Sequence, residues 1–248
     1  MSSLGDRIRR HMVEAISEYD MLADGDRVLV AVSGGKDSSV MLKLLLDIRE
    51  KAPFNFDICP VIVDQKQPGF DAGAFRDWVS SLGLDLQMIE EDTYSIVVEK
   101  TAEGKAYCSL CSRLRRGILY NYAEKHGFNK IALGHHRDDL NETILLNMFY
   151  SGKISSMPPK LTSDDGRNIV IRPMCYVPEK WIIGYIQELR APIIPCKLCG
   201  SQDGLKRNKV KALLQQLEME QADIGSSLLT SQRNVRPSQL LDKSLWTF

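Results

Sequence analysis

Arg27-Val28-Leu29-Val30-Ala31-Val32-Ser33-Gly34-Gly35-Lys36-Asp37-Ser38 decides how this chain folds. Its first half is a short β-branched apolar run that reads as a buried strand. From Ser39 onward, Val40, Met41, Leu44, Leu45 and Ile48 fall at helical spacing, so a helix follows at once. A strand, a tight turn and a helix leave backbone N–H groups pointing out of the helix N-terminus, where the dipole favours an anion. Gly34 and Gly35 let the backbone approach phosphate oxygens with no Cβ between them. Lys36 adds a mobile cation, and Ser33 and Ser38 add hydroxyl donors. Asp37 is the odd member, because a carboxylate beside phosphates is repulsive unless Mg²⁺ sits between them. A plain turn capped by Ser33 or Asp37 is the simpler alternative, but capping gives no reason for a lysine directly after two glycines. The spacing of the first glycine and the missing Ser/Thr after the lysine exclude a Walker A loop.

The hexapeptide Ser33–Ser38 resembles the PP-loop of the ATP pyrophosphatases, which cleave ATP between the α- and β-phosphates. Around it, Gly5 to Met21 reads as a helix packing on the sheet edge. Phe56 to Val63 reads as a second buried strand. It ends at Asp64, which is placed either near a nucleotide's ribose, base or metal or simply to cap the next turn. Phe70 to Leu82 reads as a helix and Leu84 to Ile89 as a third strand. A helix starts within Ala106–Gly117 and runs to Gly127, the fourth strand is Lys130 to Leu133, and Ile169 to Arg172 is the last. Lys153 to Lys160 and Ser163 to Gly166 are turn-rich. Glu179 to Leu189 and Lys206 to Met219 read as further helices. Strands alternating with helices predict an α/β fold: a doubly wound, mainly parallel five-stranded sheet, Rossmann-like, with a helical C-terminal region. The expected organisation is a catalytic domain over residues 1–195 and an extension over 196–248 packed on it.

The fourth strand runs into Gly134-His135-His136-Arg137-Asp138-Asp139. This second strand-to-helix junction mirrors the first, so Gly134 and His135 are expected to face the same ligand. Asp138 and Asp139 are either dipole-favoured caps or catalytic carboxylates that hold Mg²⁺ or move a proton.

Composition bounds the class. The chain has 248 residues, 44% of them apolar and 26% charged, with 32 basic and 32 acidic side chains. That length supports a full core. A net charge of zero argues against general nucleic-acid binding and leaves room for a local basic track. No apolar run reaches the roughly 18 to 20 residues of a membrane span, and the N-terminal stretch lacks a signal-peptide core, so no membrane partner and a cytoplasmic location are expected.

Six cysteines in a reducing compartment are not expected to form disulfides. Cys59 and Cys175 stand alone and read as small buried hydrophobes. Cys108/Cys111 and Cys196/Cys199 are two CxxC pairs, which suit a Cys₄ zinc staple or an iron–sulfur cluster, and a redox pair less well. Arg113, Arg115 and Arg116 crowd the first pair and Lys197 sits inside the second. Positive charge there lowers a thiol's pKa or holds RNA phosphate.

Ser33–Ser38, Cys108-Ser109-Leu110-Cys111-Ser112-Arg113-Leu114-Arg115-Arg116-Gly117, Gly134–Asp139 and Met157-Pro158-Pro159-Lys160 together resemble the TtcA family. Pro195-Cys196-Lys197-Leu198-Cys199-Gly200-Ser201-Gln202 and Asn234-Val235-Arg236-Pro237-Ser238 do so as well. Members are ATP-dependent tRNA sulfurtransferases that convert cytidine 32 of the anticodon loop to 2-thiocytidine. The resemblance implies a [4Fe–4S] cluster on Cys108, Cys111 and Cys196 with one iron open, and it assigns no ligand role to Cys199. It also implies ATP with Mg²⁺, a tRNA substrate, a cysteine desulfurase as sulfur source and a homodimer. RNA contacts are expected at Arg113, Arg115, Arg116, Lys153, Lys160 and Arg172. The competing readings are a uridine-thiolating PP-loop relative and a zinc-stapled nucleotide- or RNA-binding protein.

Overall fold

A computed structural model of the chain describes residues 3–100, 108–163, 165–195 and 204–246, without the side chains at 108, 109, 204 and 205. The strands are β1 (Asp26–Val32), β2 (Phe56–Asp64), β3 (Gln87–Glu90), β4 (Lys130–Ala132), β5 (Lys160–Thr162) and β6 (Ile169–Ile171). The helices are α1 (Leu4–Glu18), α2 (Lys36–Arg49), α3 (Gly73–Ser81), α4 (Thr93–Lys100), α5 (Cys108–Lys125), α6 (Arg137–Ser151), α7 (Glu179–Leu189), α8 (Gly204–Glu220) and α9 (Ile224–Arg233).

The strands form one six-stranded sheet in the order β3-β2-β1-β4-β6-β5. Every pairing is parallel except that of β5 with β6. The doubly wound, mainly parallel architecture is as expected, but the sheet has a sixth strand. β5 was hidden because Lys160-Leu161-Thr162 has no apolar alternation and Leu161 is exposed. Its strand character comes from the partner: Arg172 N–H donates to Pro159 O at 2.8 Å and Ser163 N–H to Asn168 O at 2.8 Å. Pro158 and Pro159 before it and Lys160 within it are suited to an edge, where they discourage further pairing.

Alternation along the strands sorts the core. Leu29, Val61, Val63 and Ile131 turn to one face and pack with Ile118, Leu119 and Ala123 of α5. Val28, Val30, Val32, Ile58 and Ile62 turn to the other, against which α2 packs with a nearly all-buried run from Ser38 to Leu42. The first helix is not on the sheet edge. Ile8, Met12, Ala15 and Ile16 form its buried stripe, and it lies against α2 and α7. Gly5 and Gly184 allow this approach, since a Cβ on Gly5 would stand 2.7 Å from the Tyr185 ring and one on Gly184 2.8 Å from Leu4. Cys175 is fully buried and Cys59 partly so, in keeping with small apolar roles.

Contacts divide the chain into two units, Met1–Arg137 with Pro158–Leu205, and Asp138–Met157 with Lys206–Phe248. The first carries the sheet. In the second, Asn141 of α6 donates to Gly225 O at 2.8 Å and accepts from Gln232 Nε2 at 2.9 Å, both on α9. Among the described residues no helix is long and apolar enough to cross a membrane.

Candidate active site

The strand order reverses between β1 and β4, and the loops leaving their C-terminal ends build the crevice where doubly wound sheets bind ligands. In the first loop Gly34 takes φ +72° and Gly35 caps α2. The turn is closed by its own hydroxyls. Ser33 N–H donates to Ser38 Oγ at 3.1 Å, and the Ser38 and Ser39 hydroxyls each donate to Gly35 O at 3.0 Å. Ile194 leans on this loop, its N–H donating to Gly34 O at 2.9 Å. From the other side Gly134 comes so close that a Cβ there would lie 3.2 Å from Ser38 N and 3.3 Å from Asp37 C. Gly134 is therefore required by the approach of backbone to backbone, and Gly34 by its positive φ and by the Ile194 side chain packed on it.

Lys36 stands between two carboxylates. Its Nζ lies 2.9 Å from Asp37 Oδ1 and 3.1 Å from Glu179 Oε1, the first residue of α7. Burial, the largest single influence, pulls the amine's pKa down, but Asp37 and Glu179 outweigh it and leave it above its ordinary value. Lys36 is thus a permanent cation at neutral pH. Buried His136 brings Nε2 within 3.8 Å of Asp37 Oδ1. His135 accepts at Nδ1 from Arg172 Nε at 3.2 Å, which leaves the imidazole proton on Nε2. Arg172 also donates to Pro158 O at 2.5 Å and is buried, so it supports His135 and does not belong to a surface track for RNA. Its pKa is lowered by that burial and then by Arg116. Asp64 ends β2 and binds the next turn, accepting from Lys66 N–H at 2.7 Å, with Lys66 Nζ at 3.3 Å from its other oxygen. That is its capping role.

Asp138 and Asp139 belong to the second unit, in the first turn of α6. Asp139 Oδ1 accepts from Arg207 Nη2 at 3.0 Å, while Arg207 Nε donates to Glu142 Oε2 at 2.6 Å. Arg207 thereby ties α8 to α6 through two carboxylates.

Cys108 opens α5 and Cys111 follows three residues later, in the first turn of the helix. Cys111 is buried and its thiol donates to Gln65 Oε1 at 3.3 Å. Gln65, itself buried, donates from Nε2 to Thr93 Oγ1 at 2.7 Å. A Cys-x-x-Cys pair at the start of a helix is a soft donor set that fits iron–sulfur or zinc. Cys196 and Cys199 lie outside the described residues, and among the described residues no three His, Cys, Asp or Glu side chains converge as a metal site. Arg113, Arg115 and Arg116 are exposed along α5. Lys153 is exposed in the second unit, and Lys160 donates to Asp20 O at 2.6 Å.

Glu179, His136, Gln65 and Arg207 were not singled out in the sequence. Glu179 reads as an ordinary helix-start acid after Pro178, and Gln65 carries no chemical signature beyond following Asp64. His136 offered a signal, as the second histidine of Gly134-His135-His136.

The PP-loop domain family model matches residues 6–216. A Bdellovibrio bacteriovorus protein named tRNA-cytidine(32) 2-sulfurtransferase is 55% identical over 99% of this chain and 94% of its own length. One of the same name from Aeromonas hydrophila subsp. hydrophila is 49% identical over 100% of this chain and 82% of its own. Among solved structures, the U34-tRNA thiolase NcsA from Methanococcus maripaludis, described with its [4Fe–4S] cluster, superposes with TM-score 0.74. It is 20% identical, over 94% of this chain and 80% of that one, which establishes the shared fold. By its loop, its sheet and its full-length relatives, the chain belongs to the TtcA family of PP-loop proteins.

Proposed function

We propose that the protein is an ATP-dependent tRNA sulfurtransferase that converts cytidine 32 to 2-thiocytidine. The observation that carries this reading is the family relationship over the full length, joined to a crevice whose loop suits a polyphosphate.

The residues divide the work as follows. A pyrimidine C2 oxygen is a poor leaving group, so it is first made a good one. The oxygen of the cytidine attacks the α-phosphorus of ATP, the bond to the β-phosphate breaks, and pyrophosphate departs. The amides of residues 33–38 and the Lys36 ammonium stabilise the charge that builds on that pyrophosphate. For this, Lys36 exchanges its two carboxylates for phosphate oxygens, and Asp37 becomes available to Mg²⁺. His136, against Asp37, holds that carboxylate in place. Neutral His135 donates from Nε2 toward the nucleotide. Asp138 and Asp139, in the first turn of α6, are the pair for metal or proton handling. Asp64 positions the end of β2 at the nucleotide edge. Cys108, Cys111 and Cys196 would hold a [4Fe–4S] cluster which, when bound, supplies a sulfide nucleophile at an iron with no protein ligand. AMP then leaves from C2. A cysteine desulfurase supplies the sulfur, the enzyme works as a homodimer, and the cytoplasm is where its tRNA is found.

RNA reaches the crevice along exposed Arg113, Arg115 and Arg116, with Lys153 and Lys160 as further contacts. Replacing Arg115 and Arg116 by Gln is expected to flatten the salt dependence of tRNA binding by roughly 0.7–0.9 in log–log slope per lost phosphate contact. Unchanged affinity and slope would move the RNA elsewhere. The decisive experiment reconstitutes the protein anaerobically with iron and sulfide and supplies unmodified tRNA, ATP, Mg²⁺ and sulfide. The digested nucleosides are analysed by mass spectrometry. ATP-dependent 2-thiocytidine that vanishes in Cys108→Ala is the expected result. Thiouridine would keep the chemistry and change the substrate, and a zinc-loaded protein that thiolates nothing would refute the enzyme reading.

A further inference from the structure

Helices α1 and α7 meet antiparallel, Gly5 against Tyr185 and Arg7 and His11 against Trp181. Along this seam lies a cleft of about 370 Å³ lined by Arg7, Arg10, His11, Glu14 and Trp181. Arg7 and His11, one turn apart, both sit on the indole. The guanidinium is 4.7 Å from its ring centre, and the imidazole centroid is 5.1 Å away at a tilt of 47°. Glu14 is the one carboxylate in the lining and lies 3.5 Å from His11 Nδ1. Asp6 is directed to Arg9 instead, at 2.8 Å. Exposed Lys180 adds a further cation on α7.

We propose that this cleft binds the phosphodiester backbone of the substrate RNA. The proposal rests on the tRNA-thiolating reading and extends it to a second contact surface. Three observations carry it. The first is charge: in a chain with 32 basic and 32 acidic residues, Arg7 and Arg10 line one cleft with a single carboxylate, Glu14. A polyanion is the ligand that such a local excess selects. The second is the chemistry of a stacked arginine. Held over Trp181, the Arg7 guanidinium still has several N–H donors to offer a phosphate and loses less rotamer freedom on binding than an unsupported arginine.

The third is position. α7 begins with Glu179 on Lys36, and Trp181 stands two residues further on, so the cleft lies at the end of the sheet where the PP-loop opens. α5 and its arginines cover the opposite sheet face. An anticodon stem-loop laid across the crevice would therefore meet cationic surface on both sides.

The test measures tRNA binding to the reconstituted protein over a salt series, for wild type and for the double variant Arg7→Gln/Arg10→Gln. Expected are an affinity about tenfold lower, a log–log salt slope reduced by roughly 1.5–2, and unaltered ATP affinity. The charge-keeping Arg7→Lys/Arg10→Lys protein should recover most of the slope. Arg10→Glu alone, an exposed change that spares the Trp181 stack, should weaken tRNA binding while the melting temperature stays put. Wild-type affinity and slope in the Gln variant, with thiolation intact, would overturn this proposal and leave the tRNA-thiolating reading standing. So would a Gln variant that binds tRNA normally and is impaired only when a desulfurase replaces inorganic sulfide, since the cleft would then serve a protein. A wild-type protein that neither binds nor thiolates tRNA would overturn both.

Discussion

Gly34→Ala tests whether the PP-loop is held by the segment that presses on it. Two costs follow from the structure. Gly34 sits at φ +72°, where an L-residue with a Cβ loses about 1–2 kcal/mol. The new methyl would also lie 2.5 Å from Ile194 Cδ1 and Cγ1 and 2.7 Å from its Cβ. Ile194 cannot retreat by rotating its tip alone, because the contact reaches its Cβ and its N–H is bonded to Gly34 O at 2.9 Å. Overpacking of this kind costs about 1–3 kcal/mol. The sum is a loss of about 2–5 kcal/mol, or a fall in Tm of roughly 5–15 °C for a chain of this size. Differential scanning calorimetry would measure it, with ATP affinity followed by titration calorimetry. A double-mutant cycle separates the two costs. Ile194→Gly in the Gly34→Ala background removes all three contacted atoms, the Cβ included, and not the backbone strain at residue 34, so the pair should show a favourable coupling of about 1–3 kcal/mol. Additive effects, or a Gly34→Ala protein that melts and binds ATP as wild type, would refute the argument.

Asp37→Asn removes a carboxylate that raises the Lys36 pKa and leaves burial acting downward, so the amine should titrate lower in an NMR experiment on its Cε and Nζ. In the wild type that amine titrates above its unfolded value of about 10.4, so its contribution to stability is complete below that pH and is lost as pH rises through the folded value. The variant should lose less on the alkaline side, and an identical titration would remove Asp37 as the partner. Gln65→Leu takes from Cys111 the amide oxygen that accepts from its thiol; by the usual effect of such supporting groups, iron should pass to a chelator about 10–100 times more readily. Equal retention would show that Gln65 does not support the cysteine. Arg207→Leu leaves Glu142, with a side chain 5% exposed, without its guanidinium, at a cost of about 1–3 kcal/mol in urea unfolding. A loss under about 0.5 kcal/mol would make the pair incidental.

Legibility in the sequence followed the range of the interactions. The Val28–Val32 strand, the Ser33–Ser38 turn and the α2 helix were readable because strand, turn and helix signals sit side by side and agree. The helix through Ile118, Leu119 and Ala123 was readable from its own periodicity. β5 was not, because Lys160–Thr162 becomes a strand only through β6. α9 escaped because Ile224–Arg233 is rich in serine, and its place is fixed by Asn141 and Gln232. At the site, Lys36 was evident but its partner Glu179 was not, because a helix-start glutamate reads the same wherever it points. Arg172 was assigned to the surface on its charge, and only its contacts with His135 and Pro158 reveal a buried support. Gly134 stood out as part of a motif, while the 3.2 Å approach that requires a glycine appears only in three dimensions.

The crevice draws on stretches far apart along the chain: residues 33–38, Gly134 to His136, Glu179 and Ile194. The hexapeptide is local, but what holds its backbone and balances its lysine comes from about 100 to 160 residues later, and contacts of such separation form only after long loops have closed. ATP should therefore recognise the completed fold and ignore partly folded chains. Its binding energy then adds in full to the stability of the native state. A fragment ending before Gly134 would carry the whole motif and still lack its site, and during synthesis nucleotide binding would mark the end of folding of the sheet unit.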